Sequence, residues 1–246
     1  MLKIENTDVV GWEAAIRGMR NPMNSWEKSD SIFVNDGEYH DICGNSGPFN
    51  GTVTDTETFF EIGEKDLDLM KRLRNAGTDH RKFMRMITVY ADITAPLYWW
   101  KEFDTYKVGT VANSCSTMHK IADKKFTLED FSHEHLIFED DVNYIDMIGW
   151  LQKQIDILNE WRLTYLDVKD SPTSAESAKK YWWQMIQLLP SSYNQKRTVM
   201  LNYEVLANMY KSRKNHKLDE WHVLCDWIES LPYSELITGQ FVEEKS

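Results

Sequence analysis

The chain has 246 residues, of which 42% are hydrophobic and 13% aromatic, enough to bury a full core. Its formal net charge of -11 argues against wrapping nucleic acid, because its field repels polyanions. No run of about 18 apolar residues and no basic start followed by an apolar stretch occurs, so neither a membrane span nor a signal peptide is predicted. The three cysteines are far apart in the sequence and form no CxxC pair, so they indicate neither a disulfide framework nor a thiolate metal site. We therefore expect the protein to lie in the reducing cytoplasm.

The chain is predicted to begin with a strand at residues 2–5 and a helix over Asp8–Met19, capped by Thr7. Residues 33–58 are rich in Asn, Asp, Gly and Thr, so this region is predicted to be hairpin-like or irregular. The run at 44–52 lacks the Gly-Lys-Ser/Thr ending of a phosphate loop and no clear helix follows it. We therefore do not interpret it as a nucleotide-binding loop.

A helix and a strand are predicted next. The helix spans Asp66–Asn75, and Gly77 follows it where a left-handed cap belongs. Side chains alternate with period two from Phe83 to Ile93, as in a strand. A further helix is predicted from Thr94 or the residue after it, with Pro96 in its first turn, where a missing N–H costs nothing.

The passage Val108–Ser116 carries mostly small hydroxyl, thiol and amide side chains rather than the Leu and Ile of a buried helix. Such a composition is typical of a ligand cradle, in which small polar groups and backbone surround a bound molecule. A buried turn rich in local hydrogen bonds is the alternative. Cys115, within this passage, is accordingly either a nucleophile or a small buried side chain.

Short helical signals follow this passage. Met118–Asp123 is predicted to continue as a helix, and Thr127 with Asp130 marks another helix start. His133 and His135 have no further ligand nearby in the sequence, so no metal site is predicted.

Two long helices are predicted in the second half of the chain. The first lies within Asp141–Val168, and the second opens with a capping box from Thr173 to Glu176 and runs to Leu189. Their broad apolar faces indicate burial on more than one side, as in an oligomer.

The passage from Pro96 to Lys120 resembles the signature region of the flavin-dependent thymidylate synthases. In that family an apolar, Pro-led helix ends in Arg-x-x-x-Arg-His-Arg and continues as x-x-Ser-x-Asn-Glu-x-Ser-x-Arg-Tyr. The helical half matches without gaps: Pro96, Leu97 and Tyr98 fit, and Lys101, Glu102 and Phe103 stand for Arg, Gln and Trp.

The catalytic half of this signature is largely rewritten. The replacements are Thr105, Tyr106 and Lys107 for Arg-His-Arg, Thr110 for Ser, Ala112 and Asn113 for Asn-Glu, Cys115 for the active-site Ser, and Thr117 and Met118 for Arg-Tyr. A register shifted by one residue would instead align Asn113 and Ser116 with the family's Asn and Ser. We prefer the unshifted register because it keeps the helix.

The C-terminal part carries a second resemblance to the same family. Leu189-Pro190 followed by Asn202, Asn208 and Arg213 repeats the spacing of a family helix whose two Asn contact flavin and whose last Arg contacts the nucleotide. On one helix the two Asn would lie roughly 120° apart. Glu204 stands where the family has an Arg. Gly77-Thr78-Asp79-His80 with Arg85 resembles, in outline, the family's flavin segment.

The resemblance implies an α/β (α+β) fold, with a central, mostly antiparallel sheet flanked by long helices. It implies one domain over 1–246, with a variable insertion at about 37–62. The implied activity is FAD-assisted reductive methylation of dUMP or a related pyrimidine nucleotide, with NADPH and methylenetetrahydrofolate as co-substrates, in a homotetramer with shared sites. The implied site residues are Cys115 for catalysis; Arg85, Lys107, Asn202 and Asn208 for the cofactor; and Glu102, Asn113, Ser114, Cys115, Ser116 and Arg213 for the substrate.

Because this chain lacks arginines of the family's signature, two other functions are retained as alternatives. At roughly 1.5 to 3 kcal/mol per charged hydrogen bond, three uncompensated losses would abolish useful nucleotide affinity. The cations that could rebuild a phosphate site are Lys101, Lys107, Lys120, Arg85 and Arg213. The alternatives are a non-catalytic protein that binds or sequesters a nucleotide on the same fold, and a structural oligomer.

Overall fold

The computed structural model describes residues 2–35, 37–49, 59–137, 146–171 and 173–240. The strands are β1 (Lys3–Val10), β2 (Ile32–Asn35), β3 (Glu38–His40), β4 (Ser46–Pro48), β5 (Phe59–Glu61), β6 (Thr88–Pro96), β7 (Val111–Ser114) and β8 (Asn194–Asn202). The helices are α1 (Trp12–Arg20), α2 (Glu64–Asn75), α3 (Leu97–Phe103), α4 (Thr117–Lys120), α5 (Met147–Val168), α6 (Ala175–Leu188), α7 (Tyr203–Arg213), α8 (Asp219–Glu229) and α9 (Glu235–Thr238). None of the helices in these ranges has the length and apolar character needed to cross a bilayer.

The strands form two antiparallel sheets. The larger has the order β1-β6-β8-β7, so β1 and β7 are its edges. The smaller has the order β4-β3-β2-β5, and Phe33 of β2 pairs with His40 on one side and Phe60 on the other. This arrangement confirms the predicted α/β class with antiparallel sheet and helices, and the hairpin predicted after Phe33. The rest of that stretch, residues 50–58, lies outside the described residues.

The chain divides into two compact units. The first draws on Met1–Asn6, Ala91–Lys107 and Ala112–Val199, and the second on Thr7–Tyr90, Val108–Val111 and Met200–Ser246. The single domain over 1–246 remains a prediction.

The first unit has two buried clusters. Trp99 and Trp100 of α3 are 0% and 1% exposed, with ring centroids 4.9 Å apart. The Trp100 Nε1–H donates to the carbonyl oxygen of Gln195 at 3.0 Å, which satisfies the buried indole. The other cluster joins α5 and α6 through a shared apolar core of Ile121, Ala122, Phe126, Phe131, Leu151, Ile155, Leu158 and Met185.

The second unit is built around aromatic and aliphatic side chains of α1, α7 and α8. The Trp12 ring stacks on Phe60 at 5.1 Å and meets the edge of Tyr203 at 5.3 Å. Trp221 is fully buried. Of the eight positions of α7 from Tyr203 to Tyr210, all except Asn208 are buried, so this helix lies inside its unit.

The first predicted helix begins four residues late. Strand β1 continues to Val10, and Gly11 turns the chain with φ 95° into α1. A Cβ at Gly11 would lie 2.2 Å from the carbonyl oxygen of Met86, so only glycine fits there. The predicted Thr7 cap is wrong, because the Thr7 hydroxyl accepts a hydrogen bond from Trp227 Nε1 at 3.0 Å.

The predicted strand from Phe83 is also displaced. A 3-10 helix spans Lys82–Arg85, and β6 begins at Thr88. Phe83 and its neighbour Met84 are both buried, which a strand facing one core cannot provide and a tight turn can. Strand β6 then runs through Pro96, and α3 begins at Leu97 instead of Thr94.

Several helix predictions are confirmed. Helix α2 covers the predicted segment and is followed by Gly77 at φ 108°. Thr127 and Asp130 form the capping box of a short 3-10 helix. Helix α5 is confirmed over Met147–Val168, whereas residues 141–145 lie outside the described part. The capping box at Thr173 is wrong, because Ser174 occupies the N-cap without a side-chain hydrogen bond.

Candidate functional site

The predicted cradle is an exposed edge strand. All four residues of β7 are exposed, including Val111 (59%), Asn113 and Ser114, and so is Val108 (89%). The alternative of a buried turn is therefore wrong. The strand presents polar side chains to solvent from the edge of a sheet, where they can meet a bound molecule.

Cys115 directly follows β7 and is exposed. Its N–H donates to the carbonyl oxygen of Lys196 and its carbonyl oxygen accepts from Gln195 Nε2, both at 2.9 Å. Gln195 is itself buried and accepts from Arg197 Nε at 3.0 Å. The backbone of Cys115 is thus fixed while its thiol is accessible, which excludes the alternative of a small buried side chain.

A cavity of about 310 Å³ lies beside this thiol. Its lining residues include Cys115, Ser116, Lys120, Lys124, Tyr193 and Lys196. Each of the three lysines has a carboxylate partner: Lys120 with Asp123 at 2.9 Å, Lys196 with Asp92 at 3.1 Å, and Lys124 with Asp130. Their charges are therefore largely neutralised, and the cavity is less positive than its lysine count suggests.

Asp92 is held as an anion beside Lys196. Hydrogen bonds from Thr198 at 2.6 Å and Asn6 at 2.9 Å, together with Lys196, lower the pKa of Asp92 to about 2. Burial raises the pKa of Tyr193, which therefore stays neutral. Tyr193 thus supplies a neutral hydroxyl to the cavity beside Cys115, and Asp92 holds the Lys196 ammonium that lines it.

The other substrate and cofactor residues predicted in the first unit lie around α3. Glu102 is half-buried on α3, and Lys107 is exposed beyond its end. Sequence reasoning missed Arg197, whose guanidinium lies 4.1 Å above the Trp100 ring and donates to Asp104 at 2.8 Å. The sequence shows only an arginine next to Lys196, which does not reveal that its guanidinium lies over the Trp100 ring.

Asn202 has a structural role in the second unit. It ends β8 with extended backbone and caps α7, its Oδ1 accepting from the Val205 N–H at 3.0 Å. Its Nδ2 lies 3.5 Å from the carbonyl oxygen of Gly109. The expectation that Asn202 and Asn208 share one helix is wrong, since only Asn208 lies within α7.

Glu204 forms a buried ion pair. Its carboxylate lies 2.8 Å from Arg81 Nε and 3.0 Å from Arg81 Nη2, and the side chains are 10% and 17% exposed. The position at which the resembling family has an arginine is thus acidic here and has an arginine from another segment as its partner. Sequence reasoning did not identify Arg81, because 123 positions separate the two residues.

Asn208 is exposed and lines a second cavity, of about 200 Å³. The lining residues are Arg74, Arg81, Ala207, Asn208, Tyr210, Lys211, Lys214, Ile237 and Thr238. Arg213 points elsewhere, with its guanidinium 4.6 Å from the Trp221 ring. Arg85 is exposed on its 3-10 helix. Asn208 is therefore the predicted cofactor residue that the structure brings next to a group of cations.

The histidine pair has a structural contact. His133 Nδ1 lies 2.8 Å from the carbonyl oxygen of Phe131. Within the ranges that the structure describes, no group of three or more His, Cys, Asp or Glu side chains could hold a metal ion.

Comparison with known proteins gives a structural likeness without a sequence match. No protein-family model and no curated protein sequence matches the chain. Thymidylate synthase X (ThyX) from Helicobacter pylori, solved with FAD and dUMP, has a TM-score of 0.60 at 14% identity over 97% of this chain and 98% of its own. A second structure of this enzyme, also with FAD and dUMP, has a TM-score of 0.57 at 15% identity over 96% and 98%.

The UMP/dUMP methylase PolB from Streptomyces cacaoi, bound to 5-Br dUMP, has a TM-score of 0.56 at 13% identity. The likeness covers 97% of this chain and 95% of PolB. At such identities the likeness concerns the fold and leaves the activity open. The chain therefore has the fold of the flavin-dependent thymidylate synthases.

Proposed function

We propose that this protein binds dUMP or a related pyrimidine nucleotide and methylates its base reductively with the help of FAD. The observation that carries the proposal is the extent of the fold likeness, which spans 97% of this chain and 98% of a ThyX solved with FAD and dUMP. All three solved structures are described with a dUMP compound, and two of them with FAD. The nucleotide class is therefore the best supported part of the proposal.

The nucleotide side of the proposal rests on the edge strand. Asn113 and Ser114 offer amide and hydroxyl groups on backbone that is paired to β8, and Glu102 is a further proposed substrate residue. The Ser116 hydroxyl, also proposed for the substrate, accepts from the His119 N–H at 3.0 Å as the N-cap of α4, so only its own O–H is left to donate to a ligand. Side chains on such a fixed backbone can orient a base at a small entropic cost. Cys115 is the proposed catalytic residue, because its accessible thiol lies on the same fixed segment.

The cofactor side is supported in part. FAD, when bound, supplies the hydride that reductive methylation requires. Asn208 fits an anionic cofactor, since its exposed amide lines the cavity with four cations, and Arg85 and Lys107 are exposed. Asn202 does not fit the role given to it, because its amide oxygen already caps α7. NADPH and methylenetetrahydrofolate remain the proposed co-substrates.

The proposed assembly is a homotetramer with shared sites. Its support is apolar surface on α5, where Trp150 and Ile157, seven positions apart and so on the same face of the helix, are 60% and 45% exposed. Exposed apolar side chains that share a face are typical of protein interfaces. Arg213, which we propose contacts the nucleotide, lies at the C-terminal end of α7. In the proposed tetramer it would contact a nucleotide bound in a site that subunits share.

A non-catalytic nucleotide-binding protein is the second candidate. Its specific support is the chemistry around the rewritten signature. Thr105 and Tyr106 replace two of its cations, and the lysines of the cavity beside Cys115 are paired with carboxylates. A site with fewer unpaired cations stabilises less of the charge that a flavin and a nucleotide bring together.

The test begins with the visible absorption spectrum of the full-length protein, purified and then recorded again after incubation with FAD and desalting. Binding of dUMP is measured by titration calorimetry, and turnover by tritium release from dUMP labelled at carbon 5. We expect retained flavin, dUMP binding and tritium release. Release should be lost in Cys115→Ala and kept in Cys43→Ala, since both thiols are exposed but only Cys115 lies on the proposed site.

The outcomes separate the candidates. Retained flavin with tritium release supports the enzyme, and Asn208→Ala should then lower flavin retention more than the exposed Asn215→Ala. A colourless protein that binds dUMP supports the non-catalytic candidate. A protein that binds neither compound overturns both.

A further inference from the structure

The charges around the cavity beside Cys115 are balanced. Each lysine that lines this cavity has a carboxylate partner, so three cations face three anions. One of these anions, Asp92, is held in its ionised form by hydrogen bonds from Thr198 at 2.6 Å and Asn6 at 2.9 Å. The cavity is therefore a polar space without a surplus of either charge.

A phosphate group would meet repulsion in such a space. It carries roughly two negative charges at neutral pH, and it would have to enter beside carboxylates that already bind the lysines. The Lys120 ammonium, for example, lies 2.9 Å from Asp123, which lines the cavity as well. An uncharged ligand leaves these ion pairs intact. The balance of charge thus favours a neutral, polar ligand.

The hydroxyl of Tyr193 is a group that such a ligand can bind. The backbone N–H of Tyr193 donates to Pro190 and its carbonyl oxygen accepts from Leu97, both at 3.0 Å. Its ring packs against Phe126 and Phe131, with centroids 6.2 and 5.6 Å away. Among the residues that the structure describes, no protein group forms a hydrogen bond with its hydroxyl. This half-buried hydroxyl can therefore donate to a ligand and accept from it.

The Tyr193 hydroxyl lies close to the Cys115 thiol. Both residues line the same cavity. Burial, and then the charge of Asp130, raise the pKa of Tyr193, and the charge of an ionised Cys115 raises it further. The hydroxyl consequently keeps its proton at neutral pH and remains a hydrogen-bond donor. A ring bound to this hydroxyl would lie next to the thiol.

Two neighbouring side chains add donors to the same cavity. Asn194 Oδ1 accepts from the Ser132 hydroxyl at 3.0 Å, which leaves the amide N–H groups of Asn194 to donate. The Ser116 hydroxyl, already an acceptor for a backbone N–H, can donate its own proton. Uncharged donors of this kind suit carbonyl oxygens, and a uracil ring has two of them beside an N–H that donates.

The size of the cavity limits the ligand to about one ring. Pockets for whole small molecules usually measure about 300 to 1,000 Å³, and this cavity, at about 310 Å³, is at the small end of that range. We propose that the cavity beside Cys115 binds the uncharged base of a pyrimidine nucleoside, that the Tyr193 hydroxyl positions this base, and that any phosphate lies outside the cavity. The identification of the ring rests on the proposed function, which makes a pyrimidine the substrate.

The first test measures protection of the Cys115 thiol in the full-length Cys43→Ala variant. Burial raises the pKa of the remaining thiol, Cys225, to about 11, so iodoacetamide reports Cys115 in this variant. The probes are deoxyuridine, dUMP and inorganic phosphate. We expect deoxyuridine and dUMP, each at about ten times its dissociation constant, to slow alkylation about tenfold, and phosphate to leave it unchanged. Protection by phosphate, or none by deoxyuridine, would overturn the inference.

The second test removes the hydroxyl. Tyr193→Phe retains the ring contacts, and Tyr90→Phe, at an exposed position, is the matched control. In titration calorimetry Tyr193→Phe should weaken deoxyuridine and dUMP binding by the same factor, about three- to tenfold, and the control should weaken neither. Lys120→Gln should change the two affinities equally little. Equal binding by both tyrosine variants, or a loss confined to dUMP in Lys120→Gln, would contradict the proposal.

These measurements do not require flavin, so they separate the inference from the proposed function. Protection by deoxyuridine that depends on Tyr193, in a protein that retains no flavin and releases no tritium, leaves the inference standing and removes the proposed enzyme. Tritium release that is unchanged in Tyr193→Phe, without protection of Cys115 by deoxyuridine, does the opposite. A protein that binds neither deoxyuridine nor dUMP overturns both.

Discussion

The β7 edge of the first unit and the α7 region of the second respond differently to sequence change. Asn113 and Ser114 are exposed, so their replacement alters no packing. Glu204 and Arg81 are a buried pair, and neither charge can change without the other. The rewritten signature is therefore compatible with an unchanged fold. An acidic residue at position 204, in contrast, requires Arg81 as its partner. Departures from a family motif carry different information according to where they lie.

The largest expected effect comes from breaking the buried pair. Arg81→Ala should lower the free energy of unfolding by about 3 to 5 kcal/mol, because it leaves the Glu204 carboxylate buried without its cation. Urea denaturation monitored by circular dichroism gives the value. The double variant Arg81→Met with Glu204→Leu should recover most of the loss. A single variant that costs under about 1 kcal/mol would contradict the burial of this pair.

A smaller effect is expected at the start of α7. Asn202→Ala should cost about 1 kcal/mol, because the Val205 N–H loses the side-chain oxygen that caps it. Asn208→Ala, at an exposed position of the same helix, is the matched control and should change stability by no more than about 0.5 kcal/mol. Equal costs at both positions, measured by thermal unfolding, would show that Asn202 has no capping role.

Substitutions on β7 should leave stability nearly unchanged. Asn113→Ala and Ser114→Ala are expected to stay within about 0.5 kcal/mol of the wild-type free energy of unfolding, since both side chains are exposed. Under the proposed function they should nevertheless weaken dUMP binding in calorimetry. The exposed Ser177→Ala on α6 should affect neither quantity. A stability loss above about 1 kcal/mol on β7 would mean that the strand is covered.

The smallest effect is a pH dependence in the first unit. The pKa of Asp92 is about 2 in the folded protein against 3.8 for the free group, so its ionised form stabilises the fold at neutral pH. This contribution is present above about pH 4 and is lost as the pH falls toward 2. Melting temperatures measured across this window should therefore decline less steeply in Asp92→Asn than in wild type. Asp167→Asn, an exposed position of α5, should follow the wild-type curve.

Local sequence patterns were sufficient to predict those helices whose apolar period and cap residues lie within or next to their own segment. Helix α2 with Gly77, and α5 with its buried Leu151 and Ile155, follow from apolar period and cap residues. The start of α1 could not be predicted from local patterns. It depends on the close approach of Gly11 to the carbonyl oxygen of Met86, a contact that exists only after folding.

The same distinction applies to the candidate site. The composition of the passage before Ser116 singled out Cys115, but only the structure shows that its backbone pairs with Lys196 of a distant strand while its thiol is exposed. Asn202 matched a motif by spacing, yet its place at a helix start gives it a backbone partner. Arg81 matched no motif, and its partner Glu204 lies 123 positions away. Only the tertiary structure brings these two charges together.

The placement of Arg213 over Trp221 has an optical consequence. The guanidinium lies 4.6 Å from the centroid of a fully buried indole. The electronic transitions of an indole respond to a charge on its face, so any ligand that draws Arg213 away would change the near-ultraviolet spectrum of this ring. The protein thus contains an intrinsic chromophore that would report, without a label, the engagement of the arginine proposed to contact the nucleotide.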